Sequence, residues 1–178
     1  MDIFVIEANN INYVDESLLK EFQKKEIKLS KKQKIHSLSY LMLDRILRDF
    51  YHIEHRELIF QSKKPFLKDK KKFFSISHSG DFIVLAFSDY DCGVDIEKIK
   101  HRDYVAIANR MGFKSCETLR DFYIEWTKYE AEFKLGKVSQ VSKFFDIEGY
   151  IIAAVSENTQ EEFEIYFQSG NVFPNAGK

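Results

Sequence analysis

The chain has 178 residues, of which 44% are hydrophobic and 15% aromatic, with only 2 prolines and 7 glycines. This composition is typical of a chain that buries a core, and it excludes a disordered or collagen-like protein. No apolar run reaches the roughly 18–20 residues of a membrane helix, and the first residues lack the basic flank and cleavage site of a signal peptide. We therefore expect a cytoplasmic protein whose two cysteines, Cys92 and Cys116, are reduced.

The net charge is −1, from 27 basic and 28 acidic residues, which argues against a nucleic-acid-binding protein. Two windows are nonetheless basic, because residues 24–34 and 63–72 each hold six lysines against one acid. Residues 143–178 hold six carboxylates against two lysines. Cationic patches on a neutral protein predict a compact anionic ligand such as a phosphate, or an acidic partner protein.

The predicted elements alternate between groups of strands and groups of helices. Strands are predicted at residues 2–6, 58–60, 73–77, 82–87, 94–97, 143–147, 150–155 and 163–167. Helices are predicted at residues 15–24, from a Ser30–Gln33 capping box to about residue 51, at 103–110 and at 117–135. The repeated block of helices and strands indicates an α+β protein with two similar halves joined near residues 92–100.

Two acidic residues alternate along one predicted strand, in the segment Gly93-Val94-Asp95-Ile96-Glu97. On a strand, both carboxylates project from one face while the two apolar side chains pack on the other. Carboxylates side by side repel each other unless a cation joins them, and oxygen ligands suit Mg²⁺. The same spacing also suits a half-exposed strand with a solvated acidic face, and spacing alone does not decide between the two.

One predicted helix carries a second set of polar residues. Trp126, Glu130 and Lys134 are four residues apart and therefore share a face. This arrangement suits either an exposed ion pair beside a core tryptophan, or a third metal carboxylate followed one turn later by a phosphate-binding lysine.

Four segments, in this order and at this spacing, resemble the 4′-phosphopantetheinyl transferases of the surfactin-synthetase-activating (Sfp) type. They are Lys64-Pro65, Ile76-Ser77-His78-Ser79-Gly80, Gly93-Val94-Asp95-Ile96-Glu97, and Trp126-Thr127 followed by Glu130-Ala131 and Lys134. The resemblance is strong in these motifs and extends loosely over residues 25–155.

The resemblance implies both a reaction and a fold. Members of this family transfer the phosphopantetheine arm of coenzyme A to a serine of an apo acyl or peptidyl carrier protein and release adenosine 3′,5′-bisphosphate. Their fold implies two similar α+β halves, here residues 1–92 and 93–178, related by a pseudo-twofold axis with the active site in the cleft between them. A monomer is expected, because one chain contains both halves.

The resemblance also implies a metal and its catalytic residues. Asp95, Glu97 and Glu130 would hold Mg²⁺, with Mn²⁺ as an alternative. Glu130 would act, directly or through a water, as the base for the carrier serine. Lys134 would bind the transferred phosphate and stabilise or protonate the leaving oxygen.

The coenzyme A site follows from the same resemblance. Lys64, Ser77 and His78 would line its phosphates. Ser37, together with one or more of Lys28, Lys31 and Lys32, would bind the 3′-phosphate. An ammonium, a hydroxyl and an imidazole can each donate a hydrogen bond to a phosphate oxygen.

The sequence departs from the family pattern in two places. Tyr129 stands where many relatives carry lysine, and a helical step of one residue turns Lys128 by about 100° away from that position. The connection from Lys134 to the next predicted strand is also short, about 8 residues. This shortening could narrow the carrier-binding surface.

Carrier proteins are acidic and helical, so the basic windows at residues 24–34 and 68–72 are candidate docking surfaces, although simple solvated lysines explain the second equally well. Two other functions compete with the transferase: a non-catalytic regulatory protein that binds coenzyme A or a nucleotide, and a small nucleic-acid-binding module. The complete set of acids and lysine argues against the first, and the net charge argues against the second. We therefore predict a transferase with no nucleic-acid or membrane partner. The motifs do not distinguish fatty-acid, polyketide and peptide carriers.

Overall fold

The computed structural model describes residues 1–8, 31–61, 64–114 and 116–168, with the side chains of residues 31–33 left out. The predicted helix at 15–24 and the first residue of the capping box, Ser30, lie outside the described residues. The strands are β1 (Asp2–Glu7), β2 (Leu58–Gln61), β3 (Lys64–Leu67), β4 (Phe73–Ser79), β5 (Phe82–Ser88), β6 (Cys92–Lys98), β7 (Val141–Ile147), β8 (Tyr150–Ser156) and β9 (Glu164–Gln168). Each predicted strand is confirmed to within two residues at either end.

The residues that the structure describes form three α-helices, and capping residues mark the ends of the second and third. Helix α1 (Lys31–Arg45) continues into a π-helical turn, Ile46–Phe50, close to the predicted end. Helix α2 (Tyr104–Met111) begins after Asp103, whose side chain accepts a hydrogen bond from a first-turn N–H. Helix α3 (Leu119–Leu135) begins at a capping box and ends at a left-handed glycine. None of the helices in the described part of the chain is long and apolar enough to cross a membrane.

Two three-stranded units have the same strand order and the same register. In the first, β5 lies between β4 and β1, and in the second, β8 lies between β7 and β6. The hairpins β4–β5 and β7–β8 each have a two-residue turn. After the turn, β5 pairs with β1 and β8 pairs with β6 in the same register. Thus Phe82 pairs with Glu7 in the first unit, and Tyr150 pairs with Lys98 in the second. Strand β6 therefore corresponds to β1 residue by residue.

The two sheets pack face to face through equivalent side chains. The first sheet contributes Ile3, Val5, Val84 and Ala86, and the second contributes Val94, Ile96, Ile152 and Ala154. On its outer face the first sheet packs against α1, and the second packs against α3. The molecule thus has four layers, helix, sheet, sheet and helix, and the predicted α+β class is confirmed.

Strand β9 crosses the predicted boundary between halves. It pairs in parallel with β1 and so completes the first sheet, although it lies far beyond residue 93. Strands β2 and β3 form a separate two-stranded hairpin. Its Leu67 is buried in the apolar cluster between the first sheet and α1. The division of the chain at residues 92–93 stays a prediction.

Candidate active site

Strand β6 presents its two acids toward helix α3. Asp95 is 6% exposed and Glu97 is half-buried, whereas Val94 and Ile96 on the other face belong to the core between the sheets. The predicted alternation of acidic and apolar residues along this strand is therefore confirmed. Because these carboxylates are largely removed from bulk water, their hydrogen bonds and neighbouring charges determine their orientation and their ability to bind a ligand.

Three alternating serines of β4 bind the free edge of β6, and we call them the serine ladder. Each Oγ accepts a hydrogen bond from a backbone N–H of β6. The pairs are Ser75 with Val94 at 3.0 Å, Ser77 with Ile96 at 3.4 Å and Ser79 with Lys98 at 3.0 Å. The ladder satisfies N–H groups that the second sheet leaves unpaired, since β6 is its edge strand.

Two rungs of the ladder also bind the acids. Ser77 donates to Asp95 Oδ1 at 2.7 Å, and Ser79 donates to Glu97 Oε2 at 3.3 Å. The sequence predicted Ser77 as a ligand of coenzyme A, but here its hydroxyl is buried and directed at Asp95. The alternation of serines along β4 is the sequence signal for this ladder, and the motif comparison gave no reason to expect it.

Helix α3 brings its polar face against the same two acids. Lys134 Nζ donates to Asp95 Oδ1 at 2.8 Å and to the Val94 carbonyl at 3.0 Å. About two turns nearer the N-terminus, on the same helical face, Trp126 Nε1 donates to Glu97 Oε1 at 3.3 Å. The predicted shared face of this helix is thus directed at β6.

Gly93 allows this close approach of helix and strand. A Cβ atom at Gly93 would lie 2.0 Å from the carbonyl oxygen of Ala131, far inside any real contact distance. Any larger residue would therefore push α3 away from β6, and with it the side chains that reach Asp95 and Glu97. Gly93 belongs to one of the four motifs, but its position in the sequence does not reveal this close approach of the helix.

Glu130 lies within electrostatic range of both β6 acids. Partial burial raises the pKa of Glu130, the negative charges of Asp95 and Glu97 raise it further, and Lys134 opposes the shift. Burial also raises the pKa of Glu97, with a further contribution from Asp95. The mutual repulsion of these carboxylates is the electrostatic property that a divalent cation would relieve.

The donor set fits a hard cation in its chemistry. Asp95 Oδ2 is buried and has no hydrogen-bond partner among the described residues, so one carboxylate oxygen is left to a ligand. Oxygen donors alone suit Mg²⁺ or Mn²⁺ rather than a softer metal. Within residues 1–8, 31–61, 64–114 and 116–168, however, no group of three or more His, Cys, Asp or Glu is already arranged around a metal position.

The residues predicted to bind coenzyme A lie on other elements. Lys64, at the start of β3, forms an ion pair with Asp91 at 3.0 Å. His78 is half-buried on β4, on the opposite face from the serine ladder, and Ser37 is partly exposed on α1. Lys31 begins α1, and its side chain is outside the described part of the structure.

Arg102 is a further cation near the acids that the motifs did not indicate. Its guanidinium lies over the rings of Phe122 and Tyr123, at 5.9 and 5.3 Å from their centroids. Its charge acts to lower the pKa of Glu97, which opposes the larger effect of burial. A single arginine in a loop gives no sequence pattern, so only the fold identifies it.

The structure shows the contacts of Lys128 and Tyr129 and the length of the connection after α3, the two places where the sequence departs from the family pattern. Lys128 lies 3.9 Å from Glu132, and Tyr129 packs against Phe113 and Trp126 instead of binding the acids. The connection after α3 is even shorter than expected, because β7 begins at Val141.

Most lysines of the window 68–72 are already paired with acids. Lys68 binds Glu57 at 2.9 Å, and Lys72 binds Asp89 at 2.7 Å. Lys71 lies 3.7 Å from Asp69. These contacts neutralise much of the charge that made the window a candidate docking surface.

Comparison with known proteins yields two curated relatives. No protein-family model matches the chain. The chain is 32% identical over 114 residues to the 4′-phosphopantetheinyl transferase psf-1 of Bacillus pumilus, covering 55% of this chain and 48% of that protein. It is 31% identical over 157 residues to the 4′-phosphopantetheinyl transferase gsp of Aneurinibacillus migulanus, covering 83% of this chain and 60% of that protein.

The matched region thus spans about half to three fifths of the length of these relatives. Both carry the name that the four motifs had predicted from the sequence. The predicted resemblance is confirmed, because the chain is similar to two 4′-phosphopantetheinyl transferases.

Proposed function

We propose that this protein is a holo-[acyl-carrier-protein] synthase, a 4′-phosphopantetheinyl transferase that uses coenzyme A and an apo acyl or peptidyl carrier protein. The observation that carries the proposal is that three carboxylates and one lysine lie close together. Asp95 and Glu97 come from β6, and Glu130 and Lys134 come from α3. In the reaction, the carrier serine Oγ forms a bond to the phosphorus that bears pantetheine. The bond from that phosphorus to adenosine 3′,5′-bisphosphate breaks.

Glu130 is the base in this proposal. It accepts the serine proton as the hydroxyl attacks, so it must be ionised at the start of the reaction. Its pKa, raised by burial and by the neighbouring acids, makes it a better proton acceptor than an ordinary exposed glutamate.

Lys134 holds Asp95 in place and presents a positive charge to the phosphates. Two of its hydrogen bonds go to the Val94 carbonyl and to Asp95 Oδ1. An ammonium has three N–H donors, so a third can serve the transferred phosphate or the leaving oxygen. A charged donor aimed at developing negative charge stabilises the transition state.

Asp95, Glu97 and Glu130 would hold a Mg²⁺ or Mn²⁺ ion, with the partnerless Oδ2 of Asp95 as one ligand atom. When bound, such an ion neutralises charge on the diphosphate of coenzyme A. Ser77 donates a hydrogen bond to Asp95, and Ser79 and Trp126 donate to Glu97, so these three side chains would orient the two carboxylates.

We further propose that the two three-stranded units are halves related by a pseudo-twofold axis, with coenzyme A in the cleft between them. Their identical strand order and register support this relation. A second support is that Ser88 and Ser156, at equivalent ends of β5 and β8, both donate to Glu161. Lys64, His78, Ser37 and Lys31 are the proposed contacts to coenzyme A, and a single chain with both halves is proposed to act as a monomer.

Transfer itself is the test. The protein is incubated with Mg²⁺, coenzyme A and apo carriers of the fatty-acid, polyketide and peptide classes, and the carriers are weighed by mass spectrometry. We expect one class to gain the mass of the phosphopantetheine arm. No gain on any carrier, with coenzyme A still bound, would contradict the proposal in favour of a non-catalytic binding protein.

A further inference from the structure

The three serines of the ladder form the same hydrogen bond with the backbone of β6 but differ in their contacts with its acids. Each hydroxyl accepts an N–H of β6, but the hydroxyls of Ser77 and Ser79 also donate to Asp95 and Glu97. No carboxylate contact accompanies the backbone hydrogen bond of Ser75 among the described residues. One strand thus contains two serines with a double role and one matched serine with a single role.

A serine hydroxyl has one proton and two lone pairs. Once a backbone N–H occupies a lone pair, the orientation of the hydroxyl is restricted, and its proton has a preferred direction. In Ser77 and Ser79 that direction is toward a carboxylate oxygen. The backbone of β6 therefore fixes the hydroxyls, and the hydroxyls fix the carboxylates of the same strand.

We propose that Ser77 and Ser79 are positioning residues for a divalent cation, which set the orientation of Asp95 and Glu97 before the ion binds. This inference rests on the proposed function and deepens it, because it assigns to β4 a role in the metal site. Ser77 binds Asp95 Oδ1 and leaves the partnerless Oδ2 to the ion. Partners behind metal ligands commonly change metal affinity about 10- to 100-fold when removed.

The experiment measures Mn²⁺ binding directly, without coenzyme A or carrier. Free Mn²⁺ is counted by electron paramagnetic resonance during titration of the unsubstituted protein and of the single variants Ser75→Ala, Ser77→Ala and Ser79→Ala. Thermal unfolding is recorded for each. Because every variant loses one backbone hydrogen bond of the ladder, all three lower the unfolding temperature.

We expect Ser77→Ala and Ser79→Ala to weaken Mn²⁺ binding about 10-fold or more. Ser75→Ala, the matched control, changes the dissociation constant less than about twofold, because Ser75 forms no hydrogen bond with an acid of the described residues. A hydroxyl restored at the same position, in Ser79→Thr, returns Mn²⁺ affinity toward that of the unsubstituted protein. If Ser77→Ala does not fold, the comparison of Ser79 with Ser75 still decides the outcome.

Equal Mn²⁺ affinity in all variants would overturn the positioning role and leave the ladder purely structural. A metal affinity that falls equally in Ser75→Ala would overturn it too, since the loss would then follow from loosened sheet contacts. Failure of the unsubstituted protein to bind Mn²⁺ would overturn the metal part of the proposed function itself, and the positioning role with it.

Discussion

Strands β1 and β6 occupy the same place in their two units but carry opposite chemistry. Toward the neighbouring helix, β1 presents Phe4 and Ile6, and at the equivalent positions β6 presents Asp95 and Glu97. Toward the other sheet, both strands present isoleucine and valine side chains that pack together. One half therefore builds an apolar core between sheet and helix where the other half builds a polar site.

The same strand arrangement therefore serves two purposes, stability in the first unit and the proposed ligand binding in the second. In the first unit, burial of aromatic and aliphatic side chains against α1 contributes stability. In the second unit, the same layer holds carboxylates whose charges repel one another, which costs stability and creates a place for a cation. We expect substitutions at equivalent positions of β1 and β6 to separate stability from activity.

The largest effect is expected for Asp95→Ala. Loss of this carboxylate removes a proposed metal ligand and the partner of Lys134, so we expect transfer activity to fall about 1,000-fold or more. Circular dichroism should still report a folded protein, because the surrounding apolar layer between the sheets is intact. Activity above a tenth of the original would remove Asp95 from the site.

The equivalent substitution in the first unit, Phe4→Ala, should have the reverse effect. Phe4 is fully buried, so its removal leaves a cavity that lowers the free energy of unfolding by about 3–5 kcal/mol. Activity per folded molecule should stay close to the original. Chemical denaturation measures the first quantity, and a milder change, Phe4→Leu, serves as the control. A strong loss of activity in folded Phe4→Ala protein would contradict the division of roles.

A smaller effect on stability is expected for Gly93→Ala, compared with Asp2→Ala at the equivalent position of β1. The added methyl group would meet the Ala131 carbonyl, so α3 must shift, at a cost of about 3 kcal/mol. Because the shift separates Lys134 from Asp95, activity should fall with it. Asp2→Ala loses the hydrogen bond from the Tyr51 hydroxyl and should keep its activity, because Asp2 lies outside the proposed site. Equal activity in the two variants would contradict the role assigned to Gly93.

The smallest effect concerns pH and Mg²⁺. Glu97 and Glu130 have raised pKa values in the folded protein, so without metal their contribution to stability is fully present below pH 4.5 and is lost as pH rises through the raised pKa values. Mg²⁺ should restore about 1 kcal/mol at a concentration a few times its dissociation constant. Calorimetry at pH 7 and at pH 4 should therefore show stabilisation by Mg²⁺ only at the higher pH. Equal stabilisation at both values would place the ion elsewhere.

Short-range patterns in the sequence predicted much of this structure. Alternation placed Asp95 and Glu97 on one face of a strand, and helical spacing placed Trp126, Glu130 and Lys134 on one face of a helix. Both predictions hold because each depends only on the geometry of one element. The family resemblance joined the two faces into one expected site.

The specific contacts between these elements were not predicted. Lys134 was expected to meet a phosphate, and in the structure it also holds Asp95. Ser77 was expected to meet coenzyme A, and it donates to the same acid. Strand β9 was not expected to return to β1. Such contacts join residues far apart in the chain, so no local pattern carries them.

The amino-acid sequence alone determined which residues form strands and helices, which face of each is polar, and which family the chain resembles. Only the tertiary structure decided which polar groups satisfy one another: the serine ladder, the approach of α3 over Gly93, and the single oxygen of Asp95 left to a ligand. The physical reason is that hydrogen bonds and steric contacts act over a few ångströms. The register and packing of whole sheets set those distances, and both depend on every element at once.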